Sequence, residues 1–231
     1  MINHILKSVA VTSLILGSLQ AGEIEVKVVN MTGGSYFTPL LVATHGTASK
    51  LYTTGEAASD ALQAMAEGGD ISKLSTNLQA NAATIVENPA EGLLAPGKNS
   101  STTLTTTDTN NRLSIVAMIL PSNDAFVALN NWEIPKEKGT YKIQLHAYDA
   151  GTEANNEVVN GAGAPGALGV PADPGGNAGT GATGVDAVAE GFVHIHRGIL
   201  GDDSATGGKS DLDITKHRWL NPVATAIITV K

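Results

Sequence analysis

The chain has 231 residues and a formal net charge of −8, and it contains no cysteine. The acidic balance argues against nucleic acid or an anionic membrane as a partner, and it leaves carboxylates available for hard cations. The absence of cysteine excludes disulfides, a thiol nucleophile and thiolate metal ligands. A chain of this length can bury one sizeable core, so we expect a single domain.

The first 21 residues have the features of a signal peptide. Lys7 precedes an apolar run at residues 9–19, and the small residue Ala21 stands before Gly22. That run is too short for a membrane-spanning helix, which needs about 20 residues. We therefore predict a signal peptide at residues 1–21, an exported domain at residues 22–231 and no transmembrane segment. The expected destination is the periplasm, the outer surface or the extracellular space.

Several segments have the hydrophobic pattern of β-strands. Residues 23–29 and 139–148 alternate apolar and polar side chains, which is typical of half-buried strands. Residues 112–120 (RLSIVAMIL) are apolar on both faces, which is typical of a central strand. Further strands are predicted at residues 101–107, 191–199 and 222–231.

Between these strands the sequence predicts one helical insertion and one long irregular loop. Residues 56–67 are rich in alanine, and Gly68 and Gly69 follow as a helix C-cap would, with a shorter helical segment at residues 70–79. Residues 160–184 are dense in Gly, Ala and Pro without periodicity. Because strands do not alternate regularly with helices, we predict an all-β fold, an antiparallel β-sandwich with a short helical insertion.

Six segments together resemble a bacterial spondin domain, a member of the N-terminal spondin domain family. In chain order they are YFTPLLVATHG (36–46), GEAASDALQAMAEGGD (55–70), LPSNDAF (120–126), AYDAGTEANNE (147–157), VHIHRGILG (193–201) and HRWLNPVATAIITV (217–230). The resemblance implies a sandwich similar to C2 domains, with a calcium site at one end. The thrombospondin-type repeats and cysteines of the animal proteins are missing here, so their role in cell adhesion does not carry over directly.

Acidic residues follow two of the predicted strands and form the first candidate site. Asp124 comes directly after one strand, and Asp149 and Glu153 lie at the end of another. If these strands are neighbours, their ends bring three carboxylates together, a donor set that suits calcium. The family resemblance implies the same three residues as calcium ligands. The alternative is that they only form Asx-turns. Further oxygen ligands could come from Asn155, Asn156 and Glu157.

Histidines form the second candidate site. His194 and His196 stand two apart in a predicted strand, so both side chains should project from one face with Cα atoms about 6.5–7 Å apart. Imidazole is a common ligand of copper and zinc, and we predict a copper site here. His45 and His217 are candidates for a third ligand, and His146 is a weaker one. The alternative is a solvated strand face whose histidines bond their neighbours.

No catalytic constellation can be identified, and we interpret Trp219 as a core residue. The expected function is that of a metal-binding protein of the cell envelope, in metal capture or in adhesion to a cell-surface or matrix partner. The alternative is a copper-dependent or metal-assisted hydrolytic enzyme.

Overall fold

The structure is a computed structural model that describes residues 22–176, 178–185 and 187–231. The predicted signal peptide, residues 1–21, lies outside the described residues, so it stays a prediction. Within the described part, no helix combines the length and the apolar character that crossing a membrane requires.

The described residues form ten strands and two helices. The elements are β1 (Gly22–Asn30), β2 (Tyr36–Phe37), β3 (Leu41–His45), α1 (Asp60–Gly68), α2 (Ser72–Ala80), β4 (Thr84–Glu87), β5 (Asn99–Thr106), β6 (Arg112–Leu120), β7 (Ala125–Glu133), β8 (Gly139–Asp149), β9 (His194–Ile195) and β10 (Ala224–Val230).

The strands follow the order β4-β3-β6-β7-β8-β10-β1-β5, with β2 added to β6 and β9 added to β8. Every pair of these strands is antiparallel. The two ends of the order meet, since the Thr84 hydroxyl on β4 lies 3.4 Å from the Thr105 hydroxyl on β5. Next to β4, the Thr44 hydroxyl on β3 donates to the Thr105 carbonyl at 2.7 Å. The folded-over sheet confirms the predicted antiparallel β-sandwich with its short helical insertion.

Strand β6 is an interior strand and is buried on both faces, as its continuous apolar run predicts. Its odd-numbered apolar residues belong to an inner core between the two halves of the sandwich, together with Ile24, Val26 and Val28 of β1. Its even-numbered apolar residues belong to an outer core under the helices, which includes Leu62 and Met65 of α1. The inner members on β6 are Leu113, Ile115, Ala117 and Ile119, and the outer members are Val116, Met118 and Leu120.

Helix α1 is bounded by the two caps that its sequence contains. The Ser59 hydroxyl accepts a hydrogen bond from the Leu62 N–H at 3.2 Å, so the helix begins at Asp60 rather than at residue 56 as predicted. At the other end Gly69 has a φ of 70°, and its N–H donates to the Met65 carbonyl at 2.9 Å. The predicted C-cap is confirmed, because only a residue tolerant of positive φ ends a helix in this way.

One predicted strand is much shorter in the structure, and the long irregular loop is present as predicted. The predicted strand at residues 191–199 is wrong in length, because only His194–Ile195 pairs, against Tyr148 and Asp149 of β8. Gly191 and Gly198 have φ values of 81° and 92°, which interrupt an extended backbone on both sides. In the long loop, residues 160–176 and 178–184 contain no helix or strand, as predicted.

The outer core should depend on Leu62. Its side chain is fully buried, so Leu62→Ala leaves a cavity and should reduce the free energy of unfolding by about 2–5 kcal/mol. Urea unfolding followed by circular dichroism measures this change. The matched control is Leu220→Ala, because Leu220 is 76% exposed and its truncation should change the free energy of unfolding by less than about 0.5 kcal/mol. Equal effects of both variants would contradict the assigned core.

Candidate functional site

The acidic residues meet because β7 and β8 are neighbours. The register pairs Ala125, the first residue of β7, with Asp149, the last residue of β8. Asp124 precedes Ala125, and its carbonyl accepts a hydrogen bond from the Ala150 N–H at 3.3 Å. The condition set for the acidic site, that these two strands are neighbours, is therefore met.

The turn after β8 requires a glycine. Gly151 has a φ of 69°, and a Cβ at this position would lie 2.4 Å from the Phe192 carbonyl oxygen. Its N–H donates to Asp149 Oδ1 at 2.7 Å, and its carbonyl accepts from the Gly191 N–H at 2.8 Å. This close approach places the segment that carries His194 against the carboxylate at the end of β8.

Asp124 and Glu153 each have one bonded and one unpartnered oxygen. Asp124 Oδ2 accepts hydrogen bonds from the Thr152 and Glu153 N–H groups at 2.8 and 3.1 Å, and Glu153 Oε2 accepts from Asn123 Nδ2 and the Gly169 N–H, both at 3.2 Å. Asp124 Oδ1 and Glu153 Oε1 are buried without a hydrogen-bond partner. Native proteins rarely leave such groups unpaired, so each one requires an explanation.

Burial makes these carboxylates costly to ionise. It raises the pKa of the Asp124 carboxyl to about 7, and the neighbouring Asp149 carboxylate adds to the rise. Burial also raises the pKa of Glu153 to about 7, although a hydrogen bond from Asn123 opposes the change. The pKa of Asp149 is raised for the same reason. A bound cation would remove this cost, because opposite charge favours the ionised form.

Three further oxygen ligands suggested by the sequence are occupied in the structure. Asn155 Oδ1 lies 3.1 Å from His196 Nε2, and Asn156 Oδ1 accepts from Asn123 Nδ2 and the Val158 N–H, both at 3.1 Å. Both oxygens of Glu157 are also bonded.

Glu157 instead connects distant loops. Its Oε1 accepts from the Leu200 N–H at 2.7 Å, and its Oε2 accepts from the Gly201 N–H and the Ser210 hydroxyl at 2.8 and 2.6 Å. A carboxylate with three donors has little need of a cation, so we assign Glu157 a structural role.

His194 and His196 both face Asp149, which agrees with the prediction that their side chains project from one face. His194 Nε2 lies 3.9 Å from Asp149 Oδ1, and His196 Nε2 lies 3.8 Å from Asp149 Oδ2. The two rings differ in exposure: the His194 side chain is 25% exposed and the His196 side chain is 1% exposed.

The hydrogen bonds of His196 leave it no free nitrogen. Its Nδ1 lies 2.9 Å from the Gly198 N–H, which can only donate, so Nδ1 accepts and the ring proton is on Nε2. That proton is donated to Asn155 Oδ1. Burial lowers the pKa of His196 to about 3, with smaller contributions from Arg197 and His194. His196 is therefore neutral and donates toward Asn155, and its ring also packs on Trp219 with centroids 5.0 Å apart.

His45 lies at the opposite end of the sheet from the β9 histidines. The register places His45 opposite Arg112, which pairs with Glu133 at the end of β7. Asp149 pairs with Ala125 at the start of β7, so the two rows are roughly 25 Å apart at about 3.3 Å per residue. An ion shared between His45 and the β9 histidines is therefore ruled out by the register.

His45 bonds locally instead. Its Nδ1 lies 2.8 Å from the Gly46 carbonyl, and its Nε2 lies 2.8 Å from Ser114 Oγ. A serine and a histidine at this distance resemble a nucleophile and its base, but both are buried and the second ring nitrogen binds a carbonyl. The pair stabilises the contact between β3 and β6.

His217 also has no ring nitrogen free to bind an ion. Its Nδ1 accepts from the Asp213 N–H at 3.0 Å, and its Nε2 lies 3.4 Å from Asp173 Oδ1. His146, the weaker candidate, lies half-buried on β8 opposite Ala128. The four histidines of the predicted copper site are thus not brought together.

A different set of side chains meets at His194. Among the described residues, one group of three His, Asp or Glu residues brings its ligand atoms within 4.8 Å of one another, and it consists of Asp149, Glu190 and His194. Glu190 was not among the site residues predicted from the sequence. Its signal was its position four residues before His194, but it lies in an irregular segment where no periodicity predicts which way a side chain points.

The family model of the spondin N-terminal domain (Spondin_N) matches residues 30–159, more than half of the 231 residues. The chain belongs to the spondin N-terminal domain family. A search of curated proteins found no match. Spondin domains are extracellular, which is consistent with export of this chain.

The spondin match covers Asp124, Asp149 and Glu153, but it ends before the β9 histidines. Family membership therefore bears on the acidic residues at the β7–β8 edge. The histidines must be judged on their geometry alone.

The raised pKa values predict a pH dependence in the presence of a chelator. Between pH 6.5 and 8 the native state loses protons from Asp124 and Glu153 that the unfolded state has lost already near pH 4. The free energy of unfolding should therefore fall as the pH rises through this window. His196 does not obscure this trend. Its contribution to the free energy of unfolding changes with pH only below about 6.5, the ordinary pKa of histidine, because the ring is neutral in the native state.

Urea unfolding in EDTA at several pH values measures the trend. The double variant Asp124→Asn with Glu153→Gln is the control, and it should show a weaker dependence. A wild-type stability that stays constant or rises from pH 6.5 to 8 would show that these carboxyls ionise normally.

Proposed function

We propose that the protein is an exported spondin-domain protein of the cell envelope that binds calcium through Asp124, Asp149 and Glu153. The observation that supports this most is the pair of buried, unpartnered oxygens, Asp124 Oδ1 and Glu153 Oε1. An unpaired buried carboxylate oxygen carries a large desolvation cost. A divalent cation bound near them would neutralise part of this charge. The ligand oxygens of Asp124, Asp149 and Glu153 do not all lie within 4.8 Å of one another, so the three side chains would move closer together on binding.

The donor set favours calcium over other ions. It consists of carboxylate oxygens at a strand end and in an irregular turn, and calcium accepts six to eight oxygens in such variable geometry. Magnesium demands a near-octahedral arrangement, which irregular turns seldom supply. Asn123 and the backbone N–H groups of Thr152 and Gly169 hold the partner oxygens of these carboxylates, so the free oxygens have fixed positions.

Calcium would order the loops at this end of the sandwich. The turn after β8 continues into Asn155 and Glu157, and Glu157 holds residues 200, 201 and 210 through its two oxygens. A cation bound at the turn would thus stabilise a surface formed by several loops. We infer that this surface attaches to a cell-surface or matrix partner and that calcium stabilises it without contacting the partner.

Calcium should stabilise the wild-type protein. At a free calcium concentration a hundredfold above Kd, mass action predicts an increase of about 2.7 kcal/mol in the free energy of unfolding. Isothermal titration after removal of metal by EDTA measures Kd and stoichiometry, and thermal unfolding with and without calcium measures the stabilisation. Asp124→Asn and Glu153→Gln should each weaken binding by about tenfold or more, because each removes one charged ligand.

The matched control is Asp108→Asn. Asp108 is exposed in the turn before β6, at the end of the sheet that carries Arg112, so it lies far from the site. This variant should bind calcium as the wild type does. For each of the wild type and the three variants, the melting temperature in EDTA is compared with that in millimolar calcium. If calcium changes the melting temperature of none of them, the calcium proposal is wrong.

A further inference from the structure

The protonation of His194 leaves one nitrogen free. Its Nδ1 lies 2.9 Å from the Ile195 carbonyl oxygen, which can only accept, so Nδ1 carries a proton. Its Nε2 is buried and has no hydrogen-bond partner. An Nδ1–H that donates to a backbone carbonyl is the arrangement that orients a metal-ligating histidine, since it leaves the Nε2 lone pair for the ion. His45, His196 and His217 lack such a free nitrogen.

Two carboxylate oxygens face this nitrogen. His194 Nε2 lies 3.5 Å from Glu190 Oε2 and 3.9 Å from Asp149 Oδ1. Ligands bound to one tetrahedral ion at about 2.0–2.1 Å are separated by roughly 3.3–3.4 Å. The observed separations are close to this value, so small side-chain movements would complete the arrangement.

We propose that Asp149, Glu190 and His194 bind one divalent transition-metal ion of the zinc and copper class. One imidazole and two carboxylates, without thiolate, suit these ions. The site shares Asp149 with the calcium site but does not rest on that proposal, because Glu190 and His194 are not among the proposed calcium ligands.

The surroundings of the site support ion binding and exchange. Asp149 Oδ1 accepts a hydrogen bond from the Gly151 N–H at 2.7 Å, and its Oδ2 accepts one from Asn155 Nδ2 at 2.6 Å. These bonds fix the orientation of the carboxylate, as hydrogen bonds from outer-shell residues do for metal ligands. The side chains of His194 and Glu190 are 25% and 30% exposed. An ion could enter from solvent and keep a water molecule in its fourth position.

The competing explanation is a protonated His194 that forms ion pairs with both carboxylates. Burial lowers the pKa of His194, but its bond to the Ile195 carbonyl and the two carboxylates outweigh this effect, so the pKa is raised. An imidazolium and a metal ion satisfy the same two carboxylates, so only a binding measurement separates them.

The test is isothermal titration of Zn²⁺, and separately of Cu²⁺, into untagged full-chain protein at pH 7.5 after removal of metal and without added calcium, because calcium would compete for Asp149. We expect one ion per chain. His194→Gln should weaken binding by at least about 100-fold and Glu190→Gln by at least about tenfold, given that even outer-shell changes cost about 10–100-fold. His146→Gln is the matched control, since it removes a half-buried histidine outside the site, and it should bind as the wild type does.

Asp124→Asn keeps the two proposals separate. It should weaken calcium binding about tenfold or more and leave the affinity for the transition-metal ion unchanged, so a failure of one proposal does not imply a failure of the other. No stoichiometric binding of either metal by the wild type would overturn the inference and favour the ion-paired imidazolium. Binding that survives His194→Gln but is lost in Asp124→Asn would also overturn it, because the ion would then lie at the calcium ligands.

Discussion

The pairing of β7 with β8 buries two carboxylates side by side, and much of this end of the molecule is arranged around them. Asp124 and Asp149 lie at the paired strand ends, where burial opposes their ionisation. The turn between Gly151 and Glu153 wraps around Asp124 and supplies backbone donors to its Oδ2. Burying charge in this way is unfavourable unless it is compensated. The compensation here is incomplete, and the unpartnered oxygens mark where a cation would act.

Buried carboxylates also order the segments that lack regular structure. Backbone N–H groups of an irregular loop need acceptors, and this chain has no disulfides to hold its loops. Glu67 of α1 accepts from the Gly166 N–H, Glu157 accepts from two loop N–H groups, and Asp211 accepts from the N–H groups of residues 159, 180 and 182. The Gly-rich loop is thus attached to the sandwich by charge-assisted hydrogen bonds. Calcium at the neighbouring turn would reinforce the same network.

The histidines show why residue type alone does not identify a metal ligand. His194 and His196 stand two residues apart and face one carboxylate, but their protons are on opposite nitrogens. The Gly198 N–H forces the His196 proton onto Nε2, where Asn155 accepts it, so neither nitrogen of that ring is free to bind a metal. The Ile195 carbonyl holds the His194 proton on Nδ1 and leaves Nε2 free toward Glu190. A histidine pair that is symmetric in sequence is therefore chemically asymmetric in the fold.

The sequence by itself determined the local features: the alternation in β1 and β8, the two-faced apolar strand β6, the Gly69 cap, and acidic residues at two strand ends. These follow from side-chain periodicity and capping, which act over a few residues. Only the tertiary structure decided which groups meet. It reduced the predicted strand at residues 191–199 to two residues, separated His45 from the β9 histidines by the length of a strand, and brought Glu190 to His194. Such contacts depend on register and on irregular loops, whose partners are distant in the chain and have no period to reveal them.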